Sequence, residues 1–357
     1  MRIVYGISGE GSGHSSRARE MMTHLQERGH EVKAVSYDRG YRNLAEDFDV
    51  FETEGLHIAS VDNKVSIVRT FTDNLARLGD GVRRLRELRH ECFKDFDPQV
   101  VITDFEPMTA YLARHYGLPL ITIDNQHRMR YMRYDRPSHL DGDGRITETI
   151  IRAIVPKPDV SLVTTFWFGD VTNDRTFLFP PILRREVLEA DVTEGEHILV
   201  YTTQSFAGLE PLLRSCPRER FRVYGADSEG ACGNVEYRGF SRDGFLADLA
   251  SAKAVVASAG FTLMTEAIHL GKPLLAFPMA GQFEQELNAL LLEEGGLGRN
   301  GRDRHPEVLG DFLYRLPEYR EALAKRPEDD HRAIHAKLDE LLADDARLAR
   351  EFHARRA

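Results

Sequence analysis

Short apolar runs alternate with helix-like segments along most of this chain, and this alternation strongly limits its fold. Runs that are apolar at nearly every residue are typical of strands buried on both faces of a parallel sheet. Strands and helices in regular alternation are the pattern of βαβ crossover units, which build such a sheet. The sequence therefore predicts an α/β protein.

The alternation occurs in two series, and the Pro180-Pro181 step lies between them. The first series predicts strands at Arg2–Ile7, Glu31–Ser36, Val100–Thr103, Leu120–Asp124 and Val160–Thr164, and helices at Arg17–Arg28 and Thr70–Lys94. The second series predicts strands at His197–Thr202, Arg222–Gly225, Val235–Arg238, Ala254–Ala257 and Leu274–Phe277. With 357 residues the chain has room for two domains. We expect Rossmann-like domains over 1–182 and 197–328, a linker over 183–196, and a charged helical tail over 329–357 that crosses back to the first domain.

The composition excludes several classes of protein. A net charge of -10 argues against a general nucleic-acid binder, which normally carries a basic domain. No apolar run is long enough to span a membrane, and a strand is predicted from Arg2, so we expect no signal peptide and a cytoplasmic protein. The three scattered cysteines indicate neither a disulfide framework nor a zinc site.

The most specific motif lies in the second series, between Val255 and Ala289. A buried strand leads into a small-residue turn that ends at Gly260, and a helix is predicted to begin at Phe261 and Thr262. The start of such a helix offers unpaired N–H groups and the positive end of the helix dipole. Both favour a bound phosphate. This turn is therefore a candidate diphosphate site.

Polar residues follow this turn at regular intervals. Glu266, one helical turn further on, is placed to bind the paired hydroxyls of a ribose. Glu284 and Gln285 come after the next strand, in a predicted polar loop that also carries Asn288, and are placed to bind sugar hydroxyls. The alternative is an ordinary crossover unit whose Glu and Gln residues lie at the surface. The order of these residues favours a nucleotide-sugar site.

This order of residues resembles the donor signature of GT-B glycosyltransferases. It reads S-x-G-x-T-x-x-x-E-A, then G-x-P, then P, then E-Q-x-x-N-A, and it is similar to that of UDP-glycosyltransferases and of the bacterial enzyme that adds N-acetylglucosamine to the lipid-linked peptidoglycan precursor. The N-terminal pattern Y-G-I-S-G-E-G-S-G-H-S-S-R-A-R-E, with T-D-F-E-P and D-N-Q-H-R, resembles a poorly characterised group of prokaryotic glycosyltransferases related to the UDP-glucuronosyl and teichoic-acid types. The resemblance implies two Rossmann-like domains that face each other across a cleft, and transfer from a UDP-sugar.

The first predicted strand ends in a glycine-rich loop that includes Gly11, Ser12 and Gly13 and leads to His14. Glycines let the backbone approach a ligand closely, and this loop lies at the carboxyl edge of the sheet, where α/β proteins bind ligands. The resemblance implies that His14 is the general base that deprotonates the acceptor hydroxyl, a role that suits an imidazole with a pKa of about 6.5. The alternative is a histidine that caps the helix or contacts phosphate.

Two acidic residues follow the third predicted strand of the first series, Asp104 directly and Glu106 two residues later. The resemblance implies that Asp104 pairs with His14 and fixes its tautomer. The alternative is that Asp104 caps the helix predicted at Pro107–Tyr116, which is a common role for Asp before a helix. We group Glu106 with the loop residues that face the acceptor.

Further donor contacts are expected after two strands of the second series. Gln204 and Ser205 lie in a polar turn, and the resemblance implies contact with the nucleotide diphosphate. Phe240 lies where GT-B proteins read a uracil edge with main-chain atoms, although it is equally a candidate core residue. No Asp-x-Asp directly follows a predicted strand, and Asp141-Gly142-Asp143 reads as a turn in a glycine-rich loop. We therefore expect no metal.

Arginines and aromatic residues are interleaved in the segment Gln126–Arg136, which includes Arg128. The segment is either a solvated loop or an acceptor groove, for an anionic acceptor or a lipid-linked one. A second basic stripe follows helical spacing and consists of Arg83, Arg84, Arg86 and Arg89. A charged helix face explains most such stripes, and the two together permit peripheral association with an anionic membrane.

The sequence as a whole predicts a metal-independent, inverting glycosyltransferase that takes a nucleotide sugar, with no cofactor beyond this co-substrate. The acceptor is unidentified. Two other functions stay open at this point: a UDP-sugar 2-epimerase of the same fold, and a catalytically inert sugar-nucleotide-binding protein.

Overall fold

The structure is a computed structural model, and it describes residues 1–55, 60–61, 64–65, 78–201, 209–226, 230–239, 241–303, 305, 307–327 and 330–356. The chain forms two compact units. The first consists of Met1–Arg184 with Asp330–Ala357, and the second is Arg185–Asp329. Residues 185–196, which the sequence assigns to a linker, thus belong to the second unit, and the C-terminal tail belongs to the first.

The first unit contains a sheet that is parallel throughout. Its strands are β1 (Arg2–Ile7), β2 (Glu31–Ser36), β3 (Val50–Glu52), β6 (Val100–Asp104), β7 (Leu120–Asp124), β8 (Val160–Thr164) and β9 (Thr176–Phe179), while β4 (Ser60–Val61) and β5 (Lys64–Val65) form a separate antiparallel pair. In the described part of the chain the order is β3-β2-β1-β6-β7-β8-β9. The helices are α1 (Gly13–Glu27), α2 (Asp38–Leu44), α3 (Leu78–Leu88), the π-helix Arg89–Asp95, α4 (Pro107–Tyr116), α5 (Arg128–Tyr131), the 3-10 turn Ser138–Leu140 and α6 (Asp141–Ile154).

The second unit repeats this architecture. Its strands are β10 (His197–Tyr201), β11 (Arg220–Tyr224), β12 (Gly230–Cys232), β13 (Val235–Arg238), β14 (Ala254–Ser258), β15 (Leu274–Phe277) and β16 (Gly298–Asn300). Among the described residues their order is β12-β13-β11-β10-β14-β15-β16, and only the edge strand β12 is antiparallel. The helices are α7 (Arg185–Leu188), α8 (Glu210–Arg214), α9 (Arg242–Ser251), α10 (Phe261–His269), α11 (Phe283–Glu294), α12 (Val308–Tyr314) and α13 (Leu316–Ala324).

The C-terminal helix α14 (Arg332–Arg356) packs on the first unit. Its apolar residues Ile334, Leu338 and Leu341 share one buried cluster with strands β1, β6 and β7. Because every residue of β6, β7 and β8 is buried, the sheet needs a helical layer on both faces. Helix α14 supplies part of that cover and is interrupted by non-helical backbone at residues 343–346.

Every strand predicted from the sequence is present, with shifts of at most two residues at its ends. Helix α1 begins at Gly13, earlier than predicted, so that His14 lies in its first turn. The long helix predicted at Thr70–Lys94 is seen from residue 78 as α3 and the following π-helix, and residues 70–77 lie outside the described part. Residues 141–144 were read as a turn, which is wrong, because they form the first turn of α6. In the described residues no helix has the length and apolar character required to cross a membrane.

Each sheet contains one point at which the strand order reverses. In the first unit this point lies between β1 and β6, and in the second between β10 and β14. Proteins with open parallel sheets bind ligands outside the carboxyl ends of the strands at such a point. In the first unit these ends are the loop 8–13 and Asp104, and in the second they include Gly260.

Candidate active site

His14 and Asp104 meet at the strand reversal of the first unit. Residue Ile7, at the end of β1, lies opposite Asp104 in the parallel register, and His14 follows β1 by only one loop. The His14 Nδ1 lies 2.6 Å from the Asp104 Oδ1, and the carboxylate is fully buried. Because a carboxylate only accepts hydrogen bonds, Nδ1 carries the hydrogen and Nε2 is the ring nitrogen that can take a proton. The two residues that were predicted to pair are therefore in contact.

The glycine-rich loop has the geometry of a close backbone approach. A Cβ at Gly9 would lie 2.2 Å from the main-chain oxygen of Tyr37, so only glycine fits there. Gly11 adopts a φ of 75°, in the left-handed region that favours glycine. Ser12 is exposed, and its side chain does not cap α1. The exposed Ser12 and the half-buried Gly11 and Gly13 directly precede His14.

A third residue of this site, Arg17, was missed by the sequence analysis. Its Nε and Nη2 donate to the two carboxylate oxygens of Asp104, at 2.8 Å and 2.7 Å. Its Nη1 donates to the Oδ1 of Asn125 at 3.2 Å, beyond the end of β7. Burial acts to raise the pKa of Asp104, but Arg17 and then His14 outweigh it and lower this pKa. The only signal in the sequence was the spacing of three residues between His14 and Arg17, which places both on one face of a helix.

Glu106, not Asp104, is the residue that caps α4. Its two carboxylate oxygens accept hydrogen bonds from the main-chain N–H groups of Met108 and Thr109, at 2.8 Å and 2.7 Å, and from the Thr109 hydroxyl. The side chain is fully buried, and burial raises its pKa. The capping alternative for Asp104 is therefore wrong. Both carboxylate oxygens of Glu106 are occupied by capping, and its grouping with the acceptor residues stays a prediction.

The segment after β7 begins with the short helix α5 and ranges from buried residues such as Met129 to the exposed Arg133 and Asp135, and the acceptor groove stays a prediction. Arg128 is fully buried, with its guanidinium 5.8 Å from the centre of the Phe166 ring. Its neighbour His127 is also buried and contacts Asp124, with 2.7 Å between Nδ1 and Oδ2. A second buried His–Asp pair, which no sequence pattern indicated, thus lies at the end of β7, the strand next to that of Asp104. The two pairs are linked by the Arg17–Asn125 contact.

In the second unit, the turn after β14 has the predicted form. Gly260 is the N-cap of α10, which begins at Phe261, and no side chain caps this helix end among the described residues. In the part of the chain that the structure describes, nothing lies within 4 Å of a Cβ built at Gly260. Thr262 is exposed in the first turn, and Phe261 is buried. The first main-chain N–H groups of α10 and the positive end of its dipole lie at this turn, where an anion is favoured.

The remaining predicted donor residues lie on α10 and α11. Glu266 is buried in the second turn of α10. Glu284 and Gln285 lie in the first turn of α11, so the loop predicted for them is wrong. The Gln285 Oε1 accepts a hydrogen bond from the Met279 N–H at 3.0 Å. Asn288, on the same helix, donates to the main-chain oxygen of Ala259 at 2.7 Å, which ties α11 to the turn before α10.

Three of the predicted donor residues, Gln204, Ser205 and Phe240, lie outside the described residues. Their contacts with a donor stay predictions. Within the described residues no group of three or more His, Cys, Asp or Glu side chains is arranged to hold a metal ion. Metal independence also stays a prediction.

The fold is shared with solved glycosyltransferase structures. The chain superimposes on the glycotransferase of kitacinnamycin with a TM-score of 0.71 and 19% identity, covering 95% of this chain and 98% of that one. It is also similar to the Streptomyces sp. SF2575 glycosyltransferase SsfS6 in complex with thymidine diphosphate, with a TM-score of 0.57, 15% identity, and 95% and 99% of the two chains covered. The two Rossmann-like units therefore have the GT-B fold, as the sequence predicted.

The sequence relationship is equally extensive. Residues 1–317 match the model of the family described as Glycosyl transferase family 1. The chain is 26% identical over 356 residues to an uncharacterized glycosyltransferase of Methanosarcina acetivorans, which covers 89% of this chain and 90% of that protein. This chain belongs to glycosyl transferase family 1.

Proposed function

We propose that this glycosyltransferase moves a sugar from a UDP-sugar to a hydroxyl of an acceptor, with inversion at the anomeric carbon and without a metal. The observation that carries the proposal is the contact of 2.6 Å between the His14 Nδ1 and the Asp104 Oδ1. A histidine held in this tautomer presents Nε2 as a base, and a buried carboxylate stabilises the imidazolium that forms. Such a pair suits a reaction in which one proton is removed from the nucleophile.

The proposed step is a single displacement. The acceptor oxygen attacks the anomeric carbon and forms a C–O bond, while the bond from that carbon to the diphosphate oxygen breaks. The electron pair of the broken bond leaves with the nucleoside diphosphate, and the hydroxyl proton goes to the His14 Nε2. Attack from the face opposite the leaving group inverts the configuration at this carbon.

The leaving diphosphate is proposed to bind at the start of α10. Two observations support this assignment: Gly260 is the N-cap of α10, and among the described residues nothing lies within 4 Å of a Cβ built on it. Main-chain N–H groups and the helix dipole meet the charge that develops on the leaving group, which is the role of a metal ion in other transferases. We assign Glu266 to the ribose, and Glu284 and Gln285 to hydroxyls of the sugar.

The nucleotide is proposed to carry a pyrimidine base. UDP is our first choice. The SsfS6 structure contains thymidine diphosphate, so TDP-sugars belong in the same assay panel. An anionic or lipid-linked acceptor and peripheral binding to a membrane stay proposals. Arg128 is fully buried, so it no longer counts among the basic residues that favoured them.

The test is turnover by variants of the His14–Asp104 pair, after a donor and an acceptor have been identified from a panel of nucleotide sugars. His14→Ala is expected to lower kcat by about 10²–10⁴-fold, the range for loss of a general base, with little change in nucleotide affinity. His115→Ala is the matched control because His115 is exposed on α4. A His14→Ala variant that keeps full kcat and loses nucleotide binding would move His14 to a phosphate site.

The alternatives are separated by product analysis. A UDP-sugar 2-epimerase would change the sugar without an acceptor, and an inert binding protein would bind nucleotide without turnover. A glycosyltransferase releases nucleoside diphosphate in proportion to the glycosylated acceptor. Anomeric configuration in the product, read by NMR coupling constants, tests inversion directly.

A further inference from the structure

Arg17 is a nearly fully buried cation in direct contact with the His14–Asp104 pair. Its side chain is 6% exposed, and it donates to both oxygens of a carboxylate that is 0% exposed. The same Nη2 that donates to Asp104 lies 3.3 Å from the His14 Nδ1. An arginine with this bidentate geometry fixes the plane of the carboxylate as well as its charge.

The groups that face Arg17 come from three strands and from its own helix. They are Tyr5 of β1, Asp104 of β6, Asp124 at the end of β7, Asn125 just beyond it, and His14 of α1. Two of these are carboxylates, and one imidazole contacts each of them, since His14 binds Asp104 and His127 binds Asp124. Arg17 is therefore the cation between two buried His–Asp pairs.

Removing Arg17 would change where the proton of the pair resides. A carboxylate buried without a cation favours the protonated form, because burial disfavours charge. A protonated Asp104 would no longer hold His14 in the tautomer that leaves Nε2 basic. Without Arg17 the His14–Asp104 pair would carry a net negative charge. It would therefore hold an added proton more tightly than a pair whose charge is neutralised by a guanidinium.

We propose that Arg17 is a positioning residue for the transfer reaction: its guanidinium locks the Asp104 carboxylate in one orientation and neutralises its buried charge. This inference rests on the proposed role of His14 as base. It assigns to Arg17 no contact with the donor or the acceptor. Its effect on the reaction passes through Asp104.

The experiment measures kcat/KM against pH for wild type, Arg17→Met, Arg17→Lys and Arg19→Met. Arg19 is the matched control because it lies on the same helix and forms a half-exposed ion pair with Asp47. In Arg17→Met, kcat at pH 7 is expected to fall about 10–100-fold, a part of the effect of losing the base. The acidic limb of the profile is expected to move to higher pH by about 1 pH unit or more, so that activity partly recovers on the alkaline side. Arg19→Met is expected to keep the wild-type profile.

Arg17→Lys keeps the charge but not the bidentate contact, and it also serves if Arg17→Met does not fold. Its acidic limb is expected to stay near that of wild type while kcat falls about 5–20-fold, because lysine does not fix the carboxylate plane. UDP affinity, measured by calorimetry, is expected to be unchanged in all variants that fold.

Two results would overturn the inference. The first is an Arg17→Met variant whose profile has the wild-type shape, whatever its rate, while His14→Ala is inactive. The second is an Arg17→Lys variant with full kcat. If instead His14→Ala keeps full activity, the proposed function fails rather than the role of Arg17, so the two failures are distinguishable.

Discussion

A histidine cluster joins α1 to the C-terminal helix, and it predicts a loss of stability at mildly acidic pH. The rings of His24 and His335 are stacked, with centroids 3.8 Å apart and planes 9° from parallel. The His331 ring packs edge-on against His335 at 5.6 Å. Burial, and then the charges of His24 and His331, lower the pKa of His335 from 6.5 to about 4. The fold therefore keeps this ring neutral at a pH at which an unfolded chain protonates it.

The sign and size of the effect follow from proton linkage. Below pH 6.5 the unfolded chain binds a proton that the folded chain excludes, so the free energy of unfolding falls as the pH falls towards 4. Each unit of difference between the folded and unfolded pKa corresponds to about 1.4 kcal/mol, so the free energy of unfolding would fall by on the order of 3 kcal/mol in total. At pH 5 roughly 2 kcal/mol of this would have been lost, and because His335 is only part-buried we expect about 1–2 kcal/mol.

The perturbation is His335→Phe, which keeps a planar ring against His24 and removes the titrating group. Urea unfolding, followed by the fluorescence of the one tryptophan, Trp167 of the first unit, gives the free energy at pH 7 and at pH 5. Wild type is expected to lose about 1–2 kcal/mol more than the variant between these values. His115→Phe, at an exposed position of the same unit, is expected to behave as wild type. Equal losses in wild type and His335→Phe would refute the reasoning.

Three further predictions concern the donor site and packing. Glu266→Ala is expected to weaken UDP binding by about 1–3 kcal/mol in calorimetry, with the exposed Glu294→Ala unchanged, and equal affinities would remove Glu266 from the ribose site. Transfer is expected to continue at its full rate in EDTA, because we propose that N–H groups of α10 meet the leaving diphosphate, and a loss restored by Mg²⁺ or Mn²⁺ contradicts this. Gly6→Ala is expected to destabilise by about 1–3 kcal/mol, since its Cβ would lie 1.9 Å from the Thr109 Oγ1. Gly142→Ala, whose Cβ would meet no described residue within 4 Å, is expected to stabilise by about 0.5 kcal/mol.

The sheets could be predicted from the sequence because a strand that is buried on both faces is apolar at nearly every residue. Every residue of β6, β7 and β8 is buried, and each of these strands is a short apolar run in the sequence. The helix start at Phe261 was predictable for a similar reason, since a glycine turn follows such a run. The sequence was less informative where helix and loop share a composition. The glycines at 142 and 144 suggested a turn, yet α6 begins at Asp141, with Asp141 and Asp143 in its first turn, where acidic residues favour the dipole.

The site itself could be predicted in part, and the missing part has a physical explanation. His14 and Asp104 were identifiable because each directly follows a predicted strand or its loop, and parallel strands bring such ends together. Arg17 lies one helical turn beyond His14, where the usual expectation for an arginine is a solvated helix face. It is buried because the strand order reverses between β1 and β6, which places a carboxylate from a distant part of the chain beneath this face of α1. Local propensity contains no information about that long-range contact. Burying an arginine there carries a desolvation cost that packing alone does not require, and that cost is the physical reason to connect Arg17 with the reaction rather than with the fold.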